Sequence, residues 1–185
     1  MALTWARVAA IPVLCVTTLS PTLAAKPWLS ALLFALASFT DFLDGYLARR
    51  WHVESALGVF LDPVADKLLV AVALTMLVAR LQVPVLSLAA AVILAREIFV
   101  SALREWMAQL GLSVVVKVSI WGKIKTATQM LALTILLFSG DGGTRVALVG
   151  ISLAVVSAML ALFSATEYVV AALQSYKKGE ASATS

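Results

Sequence analysis

Four aspartates crowd into 26 residues of this chain: Asp41, Asp44, Asp62 and Asp66. Asp41 and Asp44 are three apart, Asp62 and Asp66 four apart, so each pair shares one face of a helix. The segment between them, Gly45 to Gly58, is short enough to set two helices antiparallel and side by side. Both pairs then meet at one place. Unit charges about 4 Å apart repel by roughly 4 kcal/mol even at an effective dielectric of 20, so four converging carboxylates call for cations. Oxygen-only ligands suit Mg²⁺ or Mn²⁺ rather than zinc, and magnesium held by few carboxylates keeps positions open for substrate phosphates. The plain alternative is that these acids cap helices or pair with Arg49, Arg50 and Lys67. Two acids on each of two adjacent apolar helices favour the metal reading.

The elements that must carry these acids follow from composition. The 185 residues are 62% apolar and 13% charged, with a mean hydropathy of +1.01. A soluble domain is about half apolar and about a quarter charged. The departure excludes an ordinary soluble enzyme, a disordered chain and a nucleic-acid partner, despite a net charge of +4. The chain reads as a polytopic membrane protein. A single cysteine, Cys15, excludes an internal disulfide and a cysteine-based zinc cluster. The uncharged run 8–25 is near the length that spans a bilayer and longer than the core of a secretory signal, so it reads as a first transmembrane helix. No Arg- and Ser-rich presequence is visible, which points to a bacterial inner membrane.

Six helices are predicted, at about 4–25, 27–50, 58–80, 83–109, 121–139 and 144–172. Turn residues mark the breaks: Ser20-Pro21, Lys26-Pro27, Pro84, Gly111 and Gly140-Asp141-Gly142-Gly143. Residues 1–175 form one domain, and the polar, small-residue tail 176–185 is expected to be disordered. Six spans put both termini on one side. Eleven basic residues fall on that side and three (Lys26, Arg80, Arg145) on the other, which places both termini in the cytoplasm. Nine of the ten acids share that side, and Asp141 is the exception. The five tryptophans lie near predicted boundaries, as an interfacial belt. The expected fold is all-α, six transmembrane helices around a cytoplasm-facing polar site.

The run Asp41-x2-Asp44-Gly45-x2-Ala48-Arg49-x8-Gly58-x3-Asp62-x3-Asp66 matches, at all eight fixed residues and every gap, the signature of the CDP-alcohol phosphatidyltransferases. The chain resembles that family over most of its length. Thr40–Val70 and Ala95–Leu131 carry the likeness, including Ala95-Arg96-Glu97-Ile98, Ser101-Ala102-Leu103-Arg104-Glu105-Trp106 and Gly122-Lys123-Ile124-Lys125-Thr126. Leu3-Thr4-x2-Arg7-x4-Pro12 adds to it, and the fifth and sixth helices carry it least. Family members have a lead-in before the Leu-Thr that often includes Asn. This chain has no Asn at all, so contacts made from that lead-in are not carried over.

The resemblance implies displacement of CMP from a CDP-linked lipid by an alcohol. The branch most like this chain converts CDP-diacylglycerol and sn-glycerol 3-phosphate into phosphatidylglycerophosphate and CMP. It implies two divalent cations, Mg²⁺ or Mn²⁺, on Asp41, Asp44, Asp62 and Asp66. Asp66 would also act as general base, through an oxygen left clear of a cation or on a hydroxyl that the cation also acidifies. It implies CDP-diacylglycerol contacts from Thr4, Arg7, Gly45, Ala48, Arg49, Ser55 and Gly58, and a homodimer embedded in membrane lipid. Close helix packing is the alternative for Gly45 and Ala48, and a close helix entry is the better reading of Gly58.

A dianionic acceptor needs a cationic pocket, and Arg96, Arg104, Lys117, Lys123 and Lys125 are its candidates. Arg96 and Arg104 lie about 80° apart around an ideal helix, so both can line one side. Glu97, Ser101 and Glu105 recur every four residues on a neighbouring face and can orient them. Lys123 and Lys125 point roughly opposite ways on one helix. Either Gly122 marks the helix start or only one of them reaches substrate. The guanidinium fork matches phosphate bidentately, which favours the arginines. His52 lies in the cytoplasmic turn beside Trp51 and is expected to be solvated. Another acceptor (inositol phosphate, serine or phosphatidylglycerol) is the alternative within the family. A divalent-cation transporter is the alternative outside it, and predicts acids near the bilayer midplane and inverted repeats that this chain lacks.

Overall fold

The structure, a computed structural model, describes the backbone of residues 2–51, 56–111, 120–140 and 144–183, with side chains at 5–20, 22–40, 61–111, 122, 124–140 and 144–177. Every regular element among them is a helix: α1 (Ala2–Leu19), α2 (Pro21–Ala24), α3 (Pro27–Trp51), α4 (Ala56–Leu81), α5 (Pro84–Gln109), α6 (Ile120–Ser139) and α7 (Arg145–Ala183).

The breaks follow backbone chemistry. The first apolar run, expected as one helix over 4–25, divides at Ser20, whose φ of −70° and ψ of 125° are extended. Pro21 has no N–H to continue the ladder, and it pushes the residue before it out of the helical region. Between α4 and α5, Gln82 takes a left-handed φ of 51° and Val83 is extended ahead of Pro84. Gly111 and Gly140 follow the ends of α5 and α6 at φ of 68° and 67°, the left-handed position that glycine fills without a Cβ penalty. At the other end of the chain α7 runs helically through Ala183. Its lysines and alanines are good helix formers, and Tyr176 stacks on Trp106 with ring centres 5.8 Å apart, holding the start of that stretch.

The six long helices close into a ring. Going round it, the order is α1, α3, α6, α7, α5, α4 and back to α1, with α4 also touching α6 across the middle. Among the described residues α3 and α4 meet only briefly, and α1 packs along both. The interior is filled by Leu14, Phe34, Leu74, Leu77, Leu86, Leu133, Leu136 and Leu137, with Ala31, Ala73, Ala89, Ala132 and Ala154 letting backbones approach.

The outside of the ring is equally apolar. Leu19, Phe39, Leu88, Ile98 and Met159 are 58–71% exposed, while Arg7, Lys125, Gln129, Ser157 and Ser164 are buried. A water-facing globule shows the reverse, and an apolar mantle of this extent marks a membrane interaction surface. Two helical segments, Pro84–Gln109 and Arg145–Lys177, are long and apolar enough to cross a bilayer. Shorter apolar stretches run over Trp5–Leu19, Pro27–Thr40 and Ile124–Ser139. The charged residues of α4 lie towards its two ends: Asp62, Asp66 and Lys67 towards its start, Arg80 in its last turn.

Candidate active site

Because successive long helices alternate in direction, one end of the ring collects the starts of α1, α4 and α6 and the later turns of α5 and α7. The charged side chains gather there. On α4, Asp62 and Asp66 are one turn apart. Asp62 Oδ1 lies 3.9 Å from Nη1 of Arg7, which reaches it from α1. Arg7 is 1% exposed, whereas the Asp62 side chain is 43% exposed and open to a ligand.

From α4 a polar chain crosses to α5, α6 and α7. Lys67 Nζ donates to Ser101 Oγ at 2.6 Å, and Ser101 Oγ donates to the Glu97 carbonyl at 2.6 Å. Glu97 Oε1 then accepts from two cations, Lys125 Nζ of α6 and Arg96 Nη1 at 3.3 Å. The Asp66 carboxylate is near enough for its charge to act on Lys125. Arg96 also reaches α7, where its Nε donates to the Ala161 carbonyl at 3.3 Å and its Nη2 to Ser164 Oγ at 2.7 Å. Two turns further along α5, Arg104 donates to the Tyr168 hydroxyl. Its guanidinium carbon lies 4.7 Å from the centre of that ring, and that of Arg96 lies 5.9 Å from it.

The structure therefore brings together Arg7, Asp62, Asp66, Arg96, Arg104 and Lys125 of the residues singled out in the sequence. It sorts them too. Lys125 is buried and Arg96 half-buried, both engaged with protein partners; Arg104 is exposed. The helix carrying the two lysines starts at Ile120, ahead of Gly122, and turns Lys125 inward to Glu97. Glu97 orients Arg96, as its spacing suggested. Thr4, Asp41, Asp44, Gly45, Ala48, Arg49, Gly58 and Lys123 lie on helical backbone, but their side-chain surroundings fall outside the described residues. Ser55, His52 and Lys117 lie outside them altogether. The meeting of the two aspartate pairs falls in the same territory.

Sequence reasoning missed Ser164 and Tyr168, and saw Lys67 merely as a partner for aspartates. A signal existed: Ala161, Ser164 and Tyr168 sit at i, i+3 and i+7, one face of α7, where the apolar run gives way to polar residues. Gln129, one turn beyond Lys125, is a further buried polar side chain, and its Oε1 has no hydrogen-bond partner among the described residues.

Comparison with known proteins gives this arrangement a context. Residues 1–173 match the family model described as CDP-alcohol phosphatidyltransferase, from α1 through most of α7. A CDP-diacylglycerol–glycerol-3-phosphate 3-phosphatidyltransferase of Salmonella choleraesuis (strain SC-B67) is 47% identical over 170 residues, 92% of each chain. Proteins of the same description from Shigella flexneri and Escherichia coli (strain K12) are 48% and 47% identical over 147 residues, 80% of each chain.

Proposed function

The chain belongs to the CDP-alcohol phosphatidyltransferase family, and we propose that it catalyses the reaction for which these relatives are named: CDP-diacylglycerol and sn-glycerol 3-phosphate give phosphatidylglycerophosphate and CMP. The observation that carries this is an identity near one residue in two, sustained over 92% of both chains. In the transfer, a glycerol hydroxyl oxygen attacks the phosphorus that bears diacylglycerol. The bond from that phosphorus to CMP breaks, and CMP leaves with the electron pair.

The residues divide the task. Asp66 takes the proton of the attacking hydroxyl. Asp41, Asp44, Asp62 and Asp66 hold divalent cations, and the donor set, all carboxylate oxygen with Asp62 open to a ligand, fits hard ions such as Mg²⁺ or Mn²⁺. Held by these carboxylates, divalent cations would supply positive charge to offset that gathering on the leaving CMP. Arg7 fixes Asp62 from α1. Thr4, Arg7, Gly45, Ala48, Arg49, Ser55 and Gly58 serve CDP-diacylglycerol, as the family resemblance implies. On the acceptor side Arg104 meets the phosphate, with Arg96 and Lys125 behind it and Lys117 and Lys123 nearby in sequence. All six long helices cross a bacterial inner membrane, both termini lie in the cytoplasm, and two copies associate. The lopsided distribution of charge supports the orientation.

The test is CMP release by the purified protein in detergent with CDP-diacylglycerol and Mg²⁺ or Mn²⁺, across a panel of acceptor alcohols. CMP and phosphatidylglycerophosphate should form together with glycerol 3-phosphate. Release of CMP only with serine, an inositol phosphate or phosphatidylglycerol would move the chain to another branch, and no release with any acceptor would overturn the enzyme reading.

A further inference from the structure

The two arginines expected in the acceptor pocket have unlike surroundings. Arg96 is half-buried, and its three nitrogens are engaged by Glu97, the Ala161 carbonyl and Ser164. It is built into the wall between α5 and α7. Arg104 is exposed, and among the described residues Tyr168 is what holds it. That hold has two parts. The ring lies under the guanidinium at 4.7 Å, and the hydroxyl accepts a hydrogen bond from Nη2. Arg96 stands at 5.9 Å from the same ring, so one electron-rich ring serves two cations.

We propose that Tyr168 is a positioning residue for the acceptor: it holds the Arg104 guanidinium in place to receive the phosphate of glycerol 3-phosphate. This rests on the glycerol 3-phosphate reading above. An unrestrained arginine side chain has many rotamers and loses them when it clamps an anion, which weakens binding. A guanidinium already held against an aromatic ring and its hydroxyl has lost much of that freedom before the anion arrives. The hydroxyl bond engages Nη2, and the rest of the exposed fork has N–H donors to offer an anion. Tyr168 meets the two arginines assigned to the acceptor side, so its effect should fall on that one substrate.

The experiment compares steady-state constants of the full-length protein with those of Tyr168→Phe, Tyr168→Leu, Arg104→Lys and the double variant Tyr168→Leu/Arg104→Lys. Tyr168→Phe keeps the ring and loses the hydroxyl, and should raise KM for glycerol 3-phosphate about threefold; Tyr168→Leu loses both and should raise it about tenfold. KM for CDP-diacylglycerol and kcat should stay within twofold in each. In the Arg104→Lys background, Tyr168→Leu should add less than twofold, because Tyr168 acts through the guanidinium. A Tyr168→Leu protein whose KM for glycerol 3-phosphate stays within twofold of the parent overturns the proposal. So does an equal rise in both KM values, or full multiplication of the two effects in the double variant. If Tyr168→Leu does not fold, Tyr168→Phe decides: no change in KM, with the parent active, sinks the role of the hydroxyl. Failure of the parent to use glycerol 3-phosphate at all is a different result, and overturns the underlying reading of function.

Discussion

The two ends of the helix ring are built from the same six helices and have little else in common. At the outer end Arg80 of α4 reaches over to donate to the Ala24 carbonyl at 3.3 Å, and Gly140 sits so close to Pro27 that a Cβ would lie 3.3 Å from its ring. Below that corner, Gly150 lets α7 settle directly onto Leu136 of α6. Backbone, small residues and leucines close this end. At the inner end Arg7 and Lys125 are buried as cations, Glu97 faces two positive partners, and a polar chain runs through α4, α5, α6 and α7. Burying charge costs desolvation even when it is paired, and apolar replacements of the same size often stabilise a fold. A bundle shaped for stability alone would look like the outer end throughout. The inner end carries what chemistry on a charged diphosphate and a dianionic acceptor requires.

The division is broken most severely at Asp66. Asparagine has nearly the same shape and cannot take a proton, so Asp66→Asn should lower kcat about a thousandfold, as loss of a general base does. The melting midpoint in detergent should stay within a few degrees of the parent. Activity within tenfold of the parent would remove Asp66 from the role of base.

Next in size is Glu97→Gln. The amide keeps an acceptor but no charge, leaving Lys125 and Arg96 facing each other without their shared carboxylate. Removing one partner of a buried pair costs about 3 kcal/mol or more, which in a chain of this size lowers the melting midpoint by roughly 8 °C. KM for glycerol 3-phosphate should rise with it, since Arg96 shares the Tyr168 ring with Arg104. A midpoint within a degree of the parent would show the network to be energetically idle.

Gly150→Ala tests the other end. A Cβ there would lie 2.7 Å from Leu136 Cγ and 3.3 Å from Ile135 Cγ2, so α6 and α7 must separate slightly. Overpacking of this kind costs about 1–3 kcal/mol. The midpoint should fall by about 5 °C while kcat and both KM values at 25 °C hold. A loss of kcat with no loss of stability would mean that the outer packing sets the geometry of the site.

How much of this was legible in the sequence depends on how far apart the partners lie along the chain. The long helices were legible, because apolar runs and the punctuation of Pro21, Pro27, Pro84, Gly111 and Gly140 are local features. The aspartate spacing on α4 was legible for the same reason, and so was Glu97 beside Arg96. The order of helices round the ring was not. Nothing local says that α1 threads between α3 and α4, or that Arg7 meets Asp62 across 55 positions. Arg96 and Arg104 could be placed on one side of α5, but their partners Ser164 and Tyr168 lie 68 and 64 residues away, on a helix that reads simply as hydrophobic. The break at Ser20 was visible as a turn signal and was outweighed by the apolar run around it. The helical tail of α7 was hidden by its composition, since the polar residues that suggest disorder are also adequate helix formers once Tyr176 is anchored on Trp106.

The smallest expected effect bears on the comparison most directly. Arg80→Lys keeps the positive charge at the outer end but loses the planar fork that reaches the Ala24 carbonyl. A hydrogen bond of this type contributes about 1 kcal/mol, so the melting midpoint should drop by roughly 3 °C. Neither KM nor kcat should move, because α4 must pass through the whole apolar core, Leu77, Leu74, Ala73 and Leu69, before it reaches Asp66. A change in KM for glycerol 3-phosphate without a change in stability would mean that α4 transmits strain along its length. The outer end would then be part of the catalytic apparatus rather than its closure.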